Sequence, residues 1–217
     1  MAAEKPVIAV LAGVNGAGKS SVGGAMLAEH GADWYNPDTF ARQLMADADM
    51  DQETANAHAW HYGRRRLEAA IANGTDFAFE TTLGGNTIPA LIERAADTHF
   101  VDMIFCGLSS PELHLHRVAL RVSGGGHAIA EDRIRARWIS SHANLIRLLP
   151  RLSRLQIFDN SAEAAPGTPV PNPLLVLQML AGQVMYPGRA DRDALAATPQ
   201  WAKPIVQAAL ELDSRTE

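Results

Sequence analysis

Cysteine is nearly absent from this sequence. Cys106 stands alone, which excludes an internal disulfide and fits a reducing cytosol. It sits in the apolar run FVDMIFCG and reads as a buried core thiol. No apolar stretch approaches the roughly 18 residues that a membrane-spanning helix needs. The start has one Lys and then a short apolar run ending in glycine, unlike a secretory signal, so a cytoplasmic protein with no membrane partner is expected. Lysine is scarce too: Lys19 is the only one between Lys5 and Lys203. A net charge of −5 argues against a general nucleic-acid binder. No Asn-Lys-x-Asp tetrapeptide occurs, so a guanine-reading GTPase lacks its signature. No His-Glu-x-x-His occurs either: His58 and His61 lie three apart and His114 and His116 point to different helix faces, which makes no zinc site.

What is present is ordinary for a globular protein, with 47% apolar and 20% charged residues in 217. PVIAVLAG (6–13) reads as a buried parallel strand ending in glycine. Further strands are expected at ADWYN, TDFAFE (75–80), HFVDMIFCG and RLQIFDN (154–160). Helices are expected from Ser20 to Glu29 with Gly31 as C-cap, at about 38–47, and at 51–72 with Trp60, Leu67 and Ile71 on one face. Another has Ile88, Leu91, Ile92 and Ala95 at amphipathic spacing. Ser110-Pro111 starts a helix with Leu115, Val118, Ala119 and Val122 inward, and 129–149 forms a long one burying Ile134, Trp138, Ser141, Leu145 and Leu148.

This alternation predicts an α/β fold of P-loop kinase type, a parallel five-stranded sheet with helices on both faces. The kinase core is expected over residues 1–164. An extension over 165–217, packed on the same core, begins with a Pro-rich connector. It continues as a hairpin turning near Ala181-Gly182 and a last helix at about 199–212.

GVNGAGKSS (13–21) matches Gly-x4-Gly-Lys-Ser completely, between a strand and a helix. Glycines let successive backbone N–H groups turn inward around phosphate oxygens, and the helix that follows aims its positive end at them. Gly13, Asn15, Gly16, Ala17, Gly18, Lys19, Ser20 and Ser21 are therefore expected to hold ATP. Lys19 reaches the β and γ phosphates, and the Ser20 hydroxyl meets Mg²⁺.

Ligands of open α/β sheets sit at the carboxyl ends of the strands. The second strand ends at Asp38, the third at Glu80, Thr81 and Thr82, the fifth at Asp159, Asn160 and Ser161. Asp38 is the expected base for a hydroxyl proton; the alternative is a helix N-cap. Glu80 contacts acceptor hydroxyls or orients a neighbour, or else caps a strand end. Thr81 and Thr82 are acceptor contacts or turn residues, and Asn160 lies where the nucleotide base is read.

Between Arg117 and Arg154 stand eight arginines against two acids, Glu131 and Asp132. Arginine suits bidentate phosphate gripping, although a solvated helix face would read the same way. Arg117 and Arg121, the triple glycine 124–126, then Arg133 and Arg137 resemble a closing lid over a transferring phosphoryl. His127 in that lid is an acceptor contact or a turn residue. Arg135, Arg147, Arg151 and Arg154 are assigned to solvent.

The segments LAGVNGAGKSS, YNPDTFA, FAFETTLGG, HRVALRVSGGGHAIAEDRIRARW and FDNS, in this order over about 6–161, resemble the zeta toxin family. These are P-loop kinases similar to the chloramphenicol phosphotransferases. The resemblance implies ATP-dependent phosphorylation of the 3′-hydroxyl of the sugar of UDP-N-acetylglucosamine, and a small helical antitoxin as partner. It implies that Lys19 and Ser20 serve ATP and Mg²⁺, that Asp38 is the base, and that Glu80 and Thr81 serve the substrate side. Arg117 and Arg121 fall in the region of the phosphate-contacting arginines. Val14 replaces a common Pro and Ser21 a common Thr; neither removes a needed group. Two rival readings share these residues: a kinase for another small acceptor (sugar, antibiotic or nucleoside), and an ATP-binding regulatory switch.

Overall fold

The computed structural model describes residues 5–20, 22–23, 34–163 and 171–214. The expected helix after the phosphate loop, apart from its first turn, lies outside these residues, as do Ser21 and most of the Pro-rich connector. The strands are β1 (Val7–Ala12), β2 (Trp34–Tyr35), β3 (Phe77–Thr81), β4 (Phe100–Gly107), β5 (Arg154–Asp159), β6 (Leu174–Leu180) and β7 (Gln183–Tyr186). The helices are α1 (Pro37–Ala48), α2 (Gln52–Asn73), α3 (Thr87–Ala95), α4 (Pro111–Ser123), α5 (Glu131–Leu148), α6 (Arg192–Ala197) and α7 (Lys203–Asp213).

One seven-stranded sheet runs in the order β2-β3-β1-β4-β5-β6-β7. The expected five parallel strands form its first part, and the C-terminal hairpin does not stand apart: β6 pairs antiparallel with β5 and extends the same sheet. Its turn is type I′, since Ala181 and Gly182 both have positive φ, 49° and 83°. The connection leaving β1 runs to one side of the sheet and the one leaving β3 runs to the other. The crevice therefore opens between the carboxyl ends of β1 and β3, where the register pairs Ala12 with Thr81.

Fully buried Ile8, Met103, Phe105, Leu145, Leu148 and Leu155 form the centre of the main core, and Trp201, Ile205, Val206 and Ala209 from the C-terminal segment share it. The Trp201 ring presses on Gly107, where a Cβ would lie 2.1 Å from it. Trp201 also stacks on His142, with centroids 5.3 Å apart.

Three expectations are corrected. The last helix, expected at about 199–212, starts only at Lys203, and an unexpected short helix, α6, N-capped by Asp191 and ended before Pro199, precedes it. In α2 the buried stripe is Ala55, Ala59, Leu67 and Ala70, while Trp60 is 43% exposed with Arg64 over its ring. Small alanines let α1 approach, and the indole turns outward. In α4 the inward face is Leu115, Val118 and the buried His114; Ala119 and Val122 are exposed. Among the described residues no helix is long and apolar enough to cross a membrane.

Candidate active site

The loop 13–20 follows β1 and is fixed on several sides. Gly13 N–H donates to the Thr81 carbonyl (3.2 Å), tying the loop to the end of β3. Gly13 has φ 141°, and a Cβ there would lie 2.3 Å from the Cys106 carbonyl oxygen, so only glycine fits. Gly18 (φ 78°) lies against Asn160, whose Nδ2 donates to the Ala17 carbonyl (2.9 Å). Asn160 thus braces the phosphate loop from the end of β5. The buried His114 bonds the Asn15 carbonyl through Nδ1 (2.8 Å); a carbonyl only accepts, so Nδ1 carries the proton. Burial, with Lys19 and Arg117 adding repulsion, lowers this imidazole to about 4 and keeps it neutral. After Gly18 the chain turns helical, and Val22 N–H donates to the Gly18 carbonyl.

Lys19 and Glu80 are both nearly buried, 7% and 11% exposed, and their side chains meet at 3.1 Å. Lys19 Nζ also donates to the Gly13 carbonyl at 2.9 Å. The second Glu80 oxygen accepts from Asn36 Nδ2 at 2.9 Å. Glu80 is thus ion-paired with the loop lysine and does not cap the strand end. Cys106 lies close enough to feel both charges, and burial pushes its thiol up to about 12, so it is an inert core group.

Asn36 is the actual N-cap of α1, accepting from Asp38 N–H and Thr39 N–H. The capping alternative for Asp38 is therefore corrected. Asp38 sits in the first helical turn with an exposed side chain. It is near enough to Arg137 to attract that guanidinium.

Arg137 Nη1 donates to Asn15 Oδ1 at 2.8 Å, joining α5 to the phosphate loop. Burial, and then the repulsion of Arg133, holds this guanidinium below the usual arginine range, with Asp38 acting in the opposite direction. The same helix clasps the loop after β3. Ser140 Oγ donates to the Gly84 carbonyl (2.8 Å), and Asn144 Nδ2 donates to the Leu83 and Gly85 carbonyls (2.8 and 2.9 Å). Leu83 is buried with φ 56°, a left-handed conformation that a leucine adopts only under such constraint. Thr81 Oγ1 accepts from Leu83 N–H and Thr82 Oγ1 from Gly84 N–H, both turn bonds.

Two of the arginines expected at a lid bond to backbone: Arg117 to the Ala162 carbonyl (3.2 Å) and Arg121 to the His127 carbonyl (3.0 Å). His127 itself is exposed, as is Arg133. The four other arginines, assigned to solvent, do lie at the surface, and each pairs there with a carboxylate. Arg135 pairs with Glu112 and Glu131, Arg147 with Glu93, Arg151 with Asp97, and Arg154 with the nearly buried Asp102. Sequence reasoning missed Asn36, Ser140 and Asn144. The Asn36-Pro37 cap pair was legible; the α5 contacts, across some 60 residues, were not.

A phosphate-type loop joined to a strand-end carboxylate, at the switch point of a largely parallel sheet, defines a P-loop α/β protein of kinase-like fold. The chain belongs to the AAA domain family, which matches residues 8–145. An uncharacterized protein of Haemophilus influenzae is 30% identical to it over 135 residues, 58% of this chain and 88% of that protein. Among solved structures, the AvrRxo1-ORF1:-ORF2 complex with ATP is similar, with a TM-score of 0.57 at 14% identity over 84% of this chain. This chain spans only 60% of that one. A candidate kinase from Chloroflexus aurantiacus has a TM-score of 0.51 at 14% identity, covering 62% of this chain and 80% of its own. The PezAT chromosomal toxin-antitoxin system of Streptococcus pneumoniae has a TM-score of 0.54 at 18% identity, covering 72% and 68%.

Proposed function

We propose that this chain is an ATP-dependent phosphotransferase of zeta-toxin type, moving the γ-phosphate of ATP to a hydroxyl of a small acceptor. UDP-N-acetylglucosamine is the first acceptor to test. The observation that carries the reading is the continuous polar link from the phosphate loop to the acceptor side: Gly13 carbonyl, Lys19, Glu80, Asn36, and then the helical turn bearing Asp38.

In this reading Lys19 and the loop N–H groups hold the β and γ phosphates. Asp38 takes the hydroxyl proton as the acceptor oxygen bonds to the γ phosphorus and the bond to the bridging β–γ oxygen breaks, releasing ADP. Arg137 and Arg133 steady the charge that spreads over the moving phosphoryl oxygens. Exposed Ser20 at the loop's end and the Glu80 carboxylate beside Lys19 are oxygen donors of the kind Mg²⁺ takes. Ser20 would hold the ion, which supplies charge neutralisation on the phosphates when bound. Arg117 and Arg121, now on backbone carbonyls, would move to phosphate as the 124–126 glycines flex, and Asn160 and the residues beyond it flank the base. Two of the structural relatives come as two-component systems, which supports a protein partner for this chain as well.

The test is phosphoryl transfer from labelled ATP to a panel of UDP-N-acetylglucosamine, sugars, nucleosides and hydroxylated antibiotics. Asp38→Asn should lower transfer by about a hundredfold or more while nucleotide affinity stays within about threefold. Transfer to another member of the panel replaces the acceptor. Phosphate release alone refutes the phosphotransferase and favours a nucleotide switch; full transfer activity in Asp38→Asn refutes Asp38 as the base.

A further inference from the structure

Asn36 uses its side-chain amide twice. Its Oδ1 accepts from Asp38 N–H (2.8 Å) and Thr39 N–H (3.1 Å), so it caps α1. Its Nδ2 donates to Glu80 Oε2 (2.9 Å) across 44 residues of sequence. The orientation is not arbitrary: a carboxylate needs a donor and the two N–H groups need an acceptor, so the flipped amide would satisfy neither. The other Glu80 oxygen faces Lys19 Nζ at 3.1 Å. Donors from two different elements thus fix both oxygens of one carboxylate, and one of those donors also starts the helix carrying Asp38.

We infer that Asn36 is a positioning residue of the transfer reaction, an inference resting on the phosphotransferase reading. It locks the Glu80 carboxylate against Lys19 and ties that carboxylate to the helical turn of Asp38, so the phosphate side and the acceptor side keep one relative position. The residue type follows from the two tasks. Asp caps a helix equally well but offers no donor and sets a second carboxylate against Glu80. Ser caps well but is too short to reach Glu80. Gln offers the donor, but its longer chain forfeits the cap geometry. Asn satisfies both sides.

Asn36→Ser and Asn36→Asp separate the roles, because both keep a capping oxygen; Asn36→Ser should melt within about 4 °C of wild type, and Asn36→Asp lower, because it sets a second carboxylate against Glu80. Each should lower kcat for transfer by about tenfold, the size of a lost charge-assisted hydrogen bond, while KM for the nucleotide moves less than about threefold. In a Glu80→Gln background Asn36→Ser should cost less than about twofold more, since the carboxylate it serves is gone. Equal cost in both backgrounds, wild-type kcat in Asn36→Ser, or activity lost in step with melting temperature would overturn the inference. A second readout needs no turnover. In ¹⁵N-labelled full-length chain, the Asn36 side-chain NH₂ resonance, assigned by its loss in Asn36→Asp, should shift on Glu80→Gln. If wild type transfers phosphate to nothing but that resonance shifts, the phosphotransferase reading fails and the Asn36–Glu80 coupling stands. If the resonance does not move, the coupling itself is wrong.

Discussion

Asn144→Leu is the substitution that most directly tests how the loop after β3 is held. Leucine keeps the branching and heavy-atom count of asparagine and is somewhat bulkier, so the change removes hydrogen bonds without opening a cavity. Asn144 is 7% exposed and donates to two carbonyls, Leu83 in the interior and Gly85 nearer solvent. Losing the donor leaves the Leu83 carbonyl buried and unmatched, at about 1–3 kcal/mol, while the Gly85 carbonyl recovers water for about 1 kcal/mol. The sum is about 2–4 kcal/mol. At roughly 2–4 °C per kcal/mol for a protein of this size, melting should fall by about 5–15 °C. The left-handed Leu83 (φ 56°) loses a restraint and relaxes, and the turn through Thr82 shifts with it. Transfer should therefore fall more than nucleotide affinity, because the phosphate loop keeps its own braces at His114 and Asn160. Calorimetry, nucleotide titration and the transfer assay on one preparation decide it. A melting change under about 1 °C would show that these bonds do not hold the loop. A parallel loss of nucleotide affinity would show that the loop and the phosphate site are not separable.

Two further outcomes follow from the same contacts. His114 and His142 are both lowered from 6.5 to about 4, chiefly by burial. The unfolded chain binds protons on these rings below about 6.5 while the folded chain refuses them until about 4, so stability falls as pH drops through that window. Denaturant midpoints measured from pH 7.5 down to 4.5 should show it, and a flat profile refutes it; His142→Phe, which keeps a ring between Trp138 and Trp201, should reduce the slope. Gly18→Ala puts a Cβ 2.3 Å from Asn160 Nδ2 at φ 78°. It should weaken nucleotide binding by on the order of tenfold, about 1.4 kcal/mol, whereas Gly85→Ala, which meets nothing within 4 Å, should not. Equal affinity in both variants removes Asn160 as a brace.

Much of the site was legible because its chemistry is written in local strings. The phosphate loop, the strand-end carboxylate and the Asn-Pro-Asp turn each need only neighbours in sequence. What was not legible depends on tertiary meeting. The face of α4 could not be read by apolar spacing, because its buried position 114 is a histidine that bonds the Asn15 carbonyl, 99 residues away. Trp60 reads as core by size, yet α1 packs on the alanines of α2 and leaves the indole outside. The hairpin was legible, but its place in the sheet was not: pairing with β5 is a choice of edge, and no local signal states it.

The arginine block is where structure sharpens composition most. Of its eight members, Arg135, Arg147, Arg151 and Arg154 end on carboxylates, four of which (Glu93, Asp97, Asp102 and Glu112) lie outside the block in sequence. Arg117, Arg121 and Arg137 end on neutral carbonyl or amide oxygens. Arg133 has no carboxylate within ion-pair distance among the described residues, and it repels Arg137. A neutral oxygen satisfies a guanidinium's hydrogen bonds without cancelling its charge. The four arginines expected at the lid thus keep positive charge that no ion pair among the described residues offsets. Gathering cations this way costs folding energy, most of all at half-buried Arg137, where desolvation and Arg133 act together. In the proposed reading that cost is recovered when an anion arrives, so the arrangement that weakens the free protein would strengthen its grip on a polyphosphate.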